Sequence, residues 1–415
     1  MSDTLKSRLP FHYAWAVVGS GMLGIMAALG LGRFALGMIL PSMGAALDLS
    51  YSQMGYISTA NFIGYMIAVF LSGSIAMRVG PSRLVFASLA IAGGSMLFIS
   101  ASNAFMPIMA LYLLTGLGSG GANVPIMGLV SAWFSRKLRG RAAGFMVIGS
   151  GFAIMLSGFM VPRINAHLEG WGWRVNWLVL GALVLVISAV CRAVLRDKPE
   201  DMGLRALGDE KSVALDSGSG KPGSVYRERK IYDLGILYFL FGFTYVVYAT
   251  FIVTSLVKDR GMSESVAGGF WIWVGLLSLL SGPVFGTLSD KLGRRAGLII
   301  VFTLQSVSYL FAAIGMNEPM LYASVACFGL SAWSIPTIMA AAVGDIVGAS
   351  RAPQAFGLVT FIFALGQISG PAAAGLIAER TGGFPTAFFM TSVLAALAAV
   401  LSYILLRPQS TEQTD

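Results

Sequence analysis

Twelve stretches of about 18 to 28 apolar residues, separated by short polar turns, constrain this chain more than any other feature. An α-helix rises about 1.5 Å per residue, so such stretches are long enough to cross the roughly 30 Å hydrocarbon layer of a bilayer. Spans are expected near 14–45, 54–77, 83–101, 107–133, 141–163 and 172–195. A second set falls near 232–257, 265–289, 296–315, 320–344, 354–378 and 384–406. The fold class this predicts is an all-α membrane protein of twelve transmembrane helices in two six-helix bundles. A composition 56% hydrophobic and 11% charged agrees, and a mean hydropathy of +0.77 lies outside the soluble range.

The two groups of six give the expected organisation: an N-terminal bundle over 1–195, a linker over 196–230 and a C-terminal bundle over 231–415. The linker is rich in Gly, Ser and charge and has little from which to build a core. Of the 28 Lys and Arg, 22 lie in the N-terminus, the even-numbered connections and the C-terminus. Five lie on the opposite side: Arg163, Arg174, Lys258, Arg260 and Arg380. By the positive-inside rule both termini are expected in the cytoplasm. The net charge of +9 is therefore topogenic, and nucleic acid is not an expected partner. Met1–Pro10 is polar and leads into a run too long for a secretory signal. Cys191 and Cys327 sit in apolar segments and read as small buried hydrophobes, not as a disulfide framework.

The remaining basic residue is Arg33, 18 residues after Trp15 and 14 before Leu47 in the first apolar run. At that depth it cannot easily snorkel to either surface. Such charges are costly and usually face a water-filled cavity or a partner. The functional reading is an anion site in a transport pathway; the plainer alternative is a structural arginine bonded to backbone carbonyls.

The halves repeat. Gly73 to Arg83 after span 2 matches Gly286 to Arg295 after span 8, and Gly118–Pro125 in span 4 matches Gly329–Pro336 in span 10. Duplicated six-helix halves are the mark of a rocking transporter. The Gly-x-x-x-Asp-x-x-Gly-Arg-Arg pattern ending at Arg294 and Arg295, with its weaker twin, resembles the signature of the major facilitator superfamily. The resemblance covers nearly the whole chain. It implies a cytoplasmic gate built from Arg78, Arg83, Asp290, Arg294 and Arg295. The first copy departs from the pattern, with Met77 where the family usually has Asp. A purely topogenic basic loop is the alternative. Phe11-His12-Tyr13-Ala14-Trp15, Gly116–Pro125, Arg139–Gly144 and Arg196–Gly203 resemble monocarboxylate and oxalate/formate carriers. Leu31-Gly32-Arg33-Phe34 through Pro41 is similar to the bacterial YbfB/YjiJ-like branch. Both imply a multi-pass protein of the bacterial inner membrane. The span-8 arginine of monocarboxylate carriers and the span-11 lysine of oxalate carriers have no counterpart here: Ser265–Ser289 and Phe356–Ala378 are uncharged over the spans.

The resemblance lines the cavity with spans 1, 4, 7 and 10, flanked by 2, 5, 8 and 11. Candidate substrate ligands beside Arg33 are then Asn61 and Tyr65, one turn apart in span 2, and Asn123 beside Pro125, a residue expected to kink span 4. In the second half they are Thr244, Tyr245 and Tyr248, which the repeat pairs with Arg33, then Ser334 and Gln367. Each has an alternative as a packing residue. Trp271 and Trp273 are expected near the outer interface. No Asp, Glu or His falls in the middle of a span, and Arg33 stays protonated. The surviving mechanisms are symport with the proton on a carboxylate substrate, anion exchange and facilitated diffusion. No metal-ligand spacing, nucleotide loop or nucleophilic triad is visible, so neither an enzyme nor a cofactor is expected. The expectation is a monomeric carrier of a small organic anion, most simply a mono- or dicarboxylate. Broad efflux of amphiphilic compounds and a transport-inactive receptor stand as alternatives.

Overall fold

The computed structural model of the chain describes residues 12–208, 228–315, 317–348 and 351–406. The polar N-terminus, most of the expected linker (209–227) and Arg407 lie outside them. Among the described residues are twelve helices long and apolar enough to cross a membrane. They are Ala14–Ala46, Tyr51–Val79, Pro81–Ala101, Phe105–Trp133, Lys137–His167 and Gly172–Val194, then Arg229–Asp259, Glu264–Leu292, Arg294–Ile314, Glu318–Val347, Ala352–Thr381 and Pro385–Leu405. They are called spans 1 to 12 here. Each runs over one of the expected apolar stretches, so the chain is a multi-pass membrane protein.

Local chemistry sets the ends. Span 2 starts with a capping box: the Gln53 amide donates to Ser50 Oγ at 3.3 Å and the Ser50 amide donates to Gln53 Oε1 at 3.0 Å. Spans 3 and 9 both follow a glycine in the left-handed region, Gly80 at φ 90° and Gly293 at φ 88°, where a side chain would be strained. The repeat seen in sequence is thus also a repeat of backbone geometry.

Two spans depart from a regular α-helix. Span 1 is α-helical over Ala14–Ile25 and Ala35–Ala46, but Met26–Phe34 between them is a wider π-helix. Span 10 breaks between Ser331 and Ser334, ahead of Pro336. Span 8 stitches that break: Ser281 Oγ accepts from the Trp333 amide at 3.1 Å, and the Ser281 carbonyl accepts from the Ser334 hydroxyl at 3.0 Å. The interruption therefore falls in span 10, while span 4 stays helical through Pro125.

Contacts gather the described residues into two compact units. One takes Met1–Asp216, Ala249–Leu276 and Pro371–Gly383; the other takes Ser217–Tyr248, Leu277–Gly370 and Phe384–Asp415. This partition follows packing, and it draws parts of spans 7, 8 and 11 into the first unit.

Candidate functional site

Within the first unit, Arg33 sits in the π-helical stretch, 8% exposed. A wide turn releases carbonyls from the usual i→i−4 ladder, and neighbouring spans take them up. Asn61 Nδ2 of span 2 donates to the Gly32 carbonyl at 3.3 Å and to the Tyr112 carbonyl of span 4 at 3.1 Å. Tyr112 OH donates to the Arg33 carbonyl at 3.0 Å. Close packing makes this geometry possible. A Cβ on Gly32 would lie 2.8 Å from Ser119 Oγ, and one on Gly116 would run into the Asn61 backbone. The backbone of Gly32 and Arg33 is thus held by side chains of spans 2 and 4.

Its side chain is held differently. Arg33 Cζ lies 4.4 Å from the centroid of the Phe62 ring and 4.1 Å from that of Tyr65. A ring attracts the cation through its quadrupole without consuming an N–H donor. Nε and Nη2, both buried, donate to no group among the described residues. No acidic side chain lies within ion-pair distance of Arg33 among the described residues. Tyr65 OH accepts from Asn123 Nδ2 at 2.7 Å, and both residues keep part of their surface open. Arg33, Tyr65 and Asn123 therefore form one layer, with Asn61 beneath it as a brace for the π-turn.

The second-half candidates meet different fates. Gln367 Nε2 donates to Tyr245 OH, and the Tyr245 ring packs at 4.7 Å from Phe241, 6.0 Å from Phe363 and 6.2 Å from Trp333. Tyr248 OH is bonded to Ser324 Oγ at 2.9 Å, its ring stacked 4.2 Å from Phe328. Thr244 donates to the Leu240 carbonyl at 2.9 Å in its own helix, and Ser334 is the stitch across the span-10 break. Of the gate residues, Arg78 and Arg83 are exposed. Arg294 bridges Asp290 and Asp345, the latter at 2.9 Å. The Arg295 guanidinium lies 4.0 Å from the Tyr403 ring centroid.

Other groups escaped the sequence reading. Phe62, which shares Arg33 with Tyr65, looked like ordinary apolar filling; its signal was the i, i+3 aromatic pair. A second set lies at the ends of spans in the first unit, on the side of the odd-numbered connections. Asn165 Nδ2 donates to Glu264 Oε2 at 2.6 Å and to Ser42 Oγ at 3.0 Å, and Asn165 Oδ1 accepts from Asn176 at 2.8 Å. Tyr51 OH donates to Asp259 at 3.0 Å, and the Ser52 amide donates to Glu379 at 3.1 Å. Burial holds the neighbouring Arg260 guanidinium below its ordinary pKa while the Asp259 charge pulls it back. Spans 7, 8 and 11 are thereby joined to spans 1, 2 and 5 at these ends. Ser42, Asn165, Trp173 and Glu264 border a cleft of about 610 Å³ there. Trp271, expected at an interface, is instead 1% exposed and donates to Ser157 Oγ at 3.2 Å; Trp273 is the exposed one.

Residues 25–403 match the model of a family described as "Uncharacterised MFS-type transporter YbfB". The chain belongs to this family of the major facilitator superfamily. Among curated relatives it is 24% identical over 392 residues to the hexuronate transporter of Bacillus subtilis (strain 168), covering 91% of each chain. It is 26% identical over 406 residues to monocarboxylate transporter 11 of Mus musculus, covering 92% of this chain and 84% of that one. The fold matches the crystal structure of a bacterial homologue of the human lysosomal transporter Spinster, with a TM-score of 0.72 at 16% identity, over 95% of this chain and 97% of that one. The family, these two curated relatives and the matched structure are all described as transporters.

Proposed function

We propose that this YbfB-family chain is a secondary active transporter of a small organic anion, a mono- or dicarboxylate, working by alternating access as proton symport or anion exchange. Arg33 carries the reading. Its guanidinium is buried and, among the described residues, has no acidic partner and no acceptor for Nε or Nη2. Nε–H and one Nη2–H leave the same edge of a guanidinium in parallel, the fork that a carboxylate accepts bidentately. The Phe62 and Tyr65 rings hold the cation in place and leave that edge to a ligand. Tyr65 OH, already accepting from Asn123, retains its own proton to donate to a second oxygen. The same fixed charge repels hydrophobic cations. The relatives' printed substrates, a hexuronate and monocarboxylates, are acids and support the carboxylate assignment.

The test is counterflow in proteoliposomes, with labelled acetate, lactate, oxalate, succinate and citrate against unlabelled internal substrate. At least one acid should exchange in the wild type. Arg33→Gln should cut that flux at least about 30-fold, as expected for removing one partner of a buried charge pair. Equal flux in Arg33→Gln would remove Arg33 from the site. Binding of an acid without counterflow would make the chain a receptor.

A further inference from the structure

The repeat makes two helix starts of the same design, and among the described residues only the first is capped by a carboxylate. At span 3, after Gly80, the Ser82 amide donates to Asp197 Oδ1 at 2.7 Å. An intrinsic carboxylate thus sits on the positive end of that helix. At span 9, after Gly293, no side chain among the described residues accepts from an amide of the first turn.

The uncapped turn opens into a cleft of about 590 Å³ in the second unit, bordered by the starts of spans 7 and 9 and the ends of spans 8, 10 and 12. Lys230, Arg294 and Arg295 line it, against one acid, Asp345. Arg294 is spent on Asp290 and Asp345. Arg295 and Lys230 have no acidic partner within 4.0 Å among the described residues, and Arg295 Nε is buried without an acceptor. The rest of the lining is apolar, and Leu292 and Tyr403 are 55% and 56% exposed on the flank of the bundle, where acyl chains would lie. A basic, helix-capping pocket with an apolar outer wall, on the side expected to face the cytoplasm, has the chemistry of an anionic lipid headgroup site.

We infer that this cleft binds an anionic phospholipid. The phosphate caps span 9 and contacts Arg295 and Lys230, and the acyl chains lie over Leu292 and Tyr403. The lipid supplies at span 9 the negative charge that Asp197 supplies at span 3. This rests on the second unit alone and does not depend on Arg33.

The experiment uses the full chain in nanodiscs of phosphatidylcholine, with or without one fifth phosphatidylglycerol, and reads the thermal midpoint together with the phosphatidylglycerol retained in native mass spectrometry. Phosphatidylglycerol should raise the midpoint of the wild type and of Arg295→Lys, and millimolar inorganic phosphate should not. Lys230→Gln and Arg295→Gln should each lower lipid retention about fivefold, the effect of one basic residue at an anionic surface. Arg380→Gln, at the opposite ends of the spans, should leave retention unchanged. Equal stabilisation by inorganic phosphate would make this a soluble-anion site. Retention unaffected by Lys230→Gln and Arg295→Gln would remove the lipid from the cleft.

Discussion

The sequence repeat pairs Arg33 with the span-7 stretch that holds Thr244, Tyr245 and Tyr248, yet the chain uses Arg33 and Tyr245 in opposite ways. Around Tyr245, hydroxyl, amide and ring are engaged with Gln367, Phe241 and Phe363. Around Arg33, Asn61 holds the Gly32 carbonyl and Tyr112 the Arg33 carbonyl, while the side chain rests on ring faces and keeps Nε and Nη2 in reserve. A buried donor without an acceptor costs about 1–3 kcal/mol, more when charged. A fold that carries such a cost at Arg33 and avoids it at Tyr245 points to where the ligand acts. The duplication supplied the frame, and the asymmetry supplies the chemistry.

Substitutions at the paired positions test this contrast. The largest effect is expected from Arg33→Lys, which keeps the charge and removes the fork; counterflow should fall about tenfold to a hundredfold. Wild-type flux in Arg33→Lys would mean that charge alone suffices. Next is Tyr65→Phe, which keeps the ring over the guanidinium and removes the hydroxyl. It should lower apparent substrate affinity about twofold to tenfold with little change in thermal midpoint, since a single neutral hydrogen bond is worth about 0.5–1.5 kcal/mol. The smallest effect on transport belongs to the same substitution in the other half. Tyr245→Phe should leave flux within about twofold and instead lower stability by about 1 kcal/mol, because its hydroxyl is bonded inside the bundle. A larger loss of affinity in Tyr245→Phe than in Tyr65→Phe would reverse the comparison.

The spans were legible because a bilayer demands length and hydrophobicity, and those are written in composition. Arg33 was legible for the same reason: one charge in the first long run has no cheap explanation. Its surroundings were not. A π-turn leaves no composition signature, and Gly30 and Gly32 look like any helix-packing glycines. Asn61 read as a ligand because polar residues in spans are rare, but whether an amide faces a ligand or a released carbonyl depends on the pitch of the neighbouring helix. Tyr248 and Ser334 likewise found partners, Ser324 and the Ser281 carbonyl, that lie 76 and 53 residues away in sequence. Asn165 and Glu264 sit at span ends, where polar residues are common, so nothing marked them as members of one network.

A rod with uniform pitch passes a twist from end to end. Span 1 is not such a rod, because Met26–Phe34 is coiled more widely than the arms on either side. One residue more or less in a helix turns everything beyond it by about 100°, and a loosened coil is where such a change of register is absorbed. The first helix therefore changes pitch along its length, and the one charge of Ala14–Ala46 stands in the wider stretch.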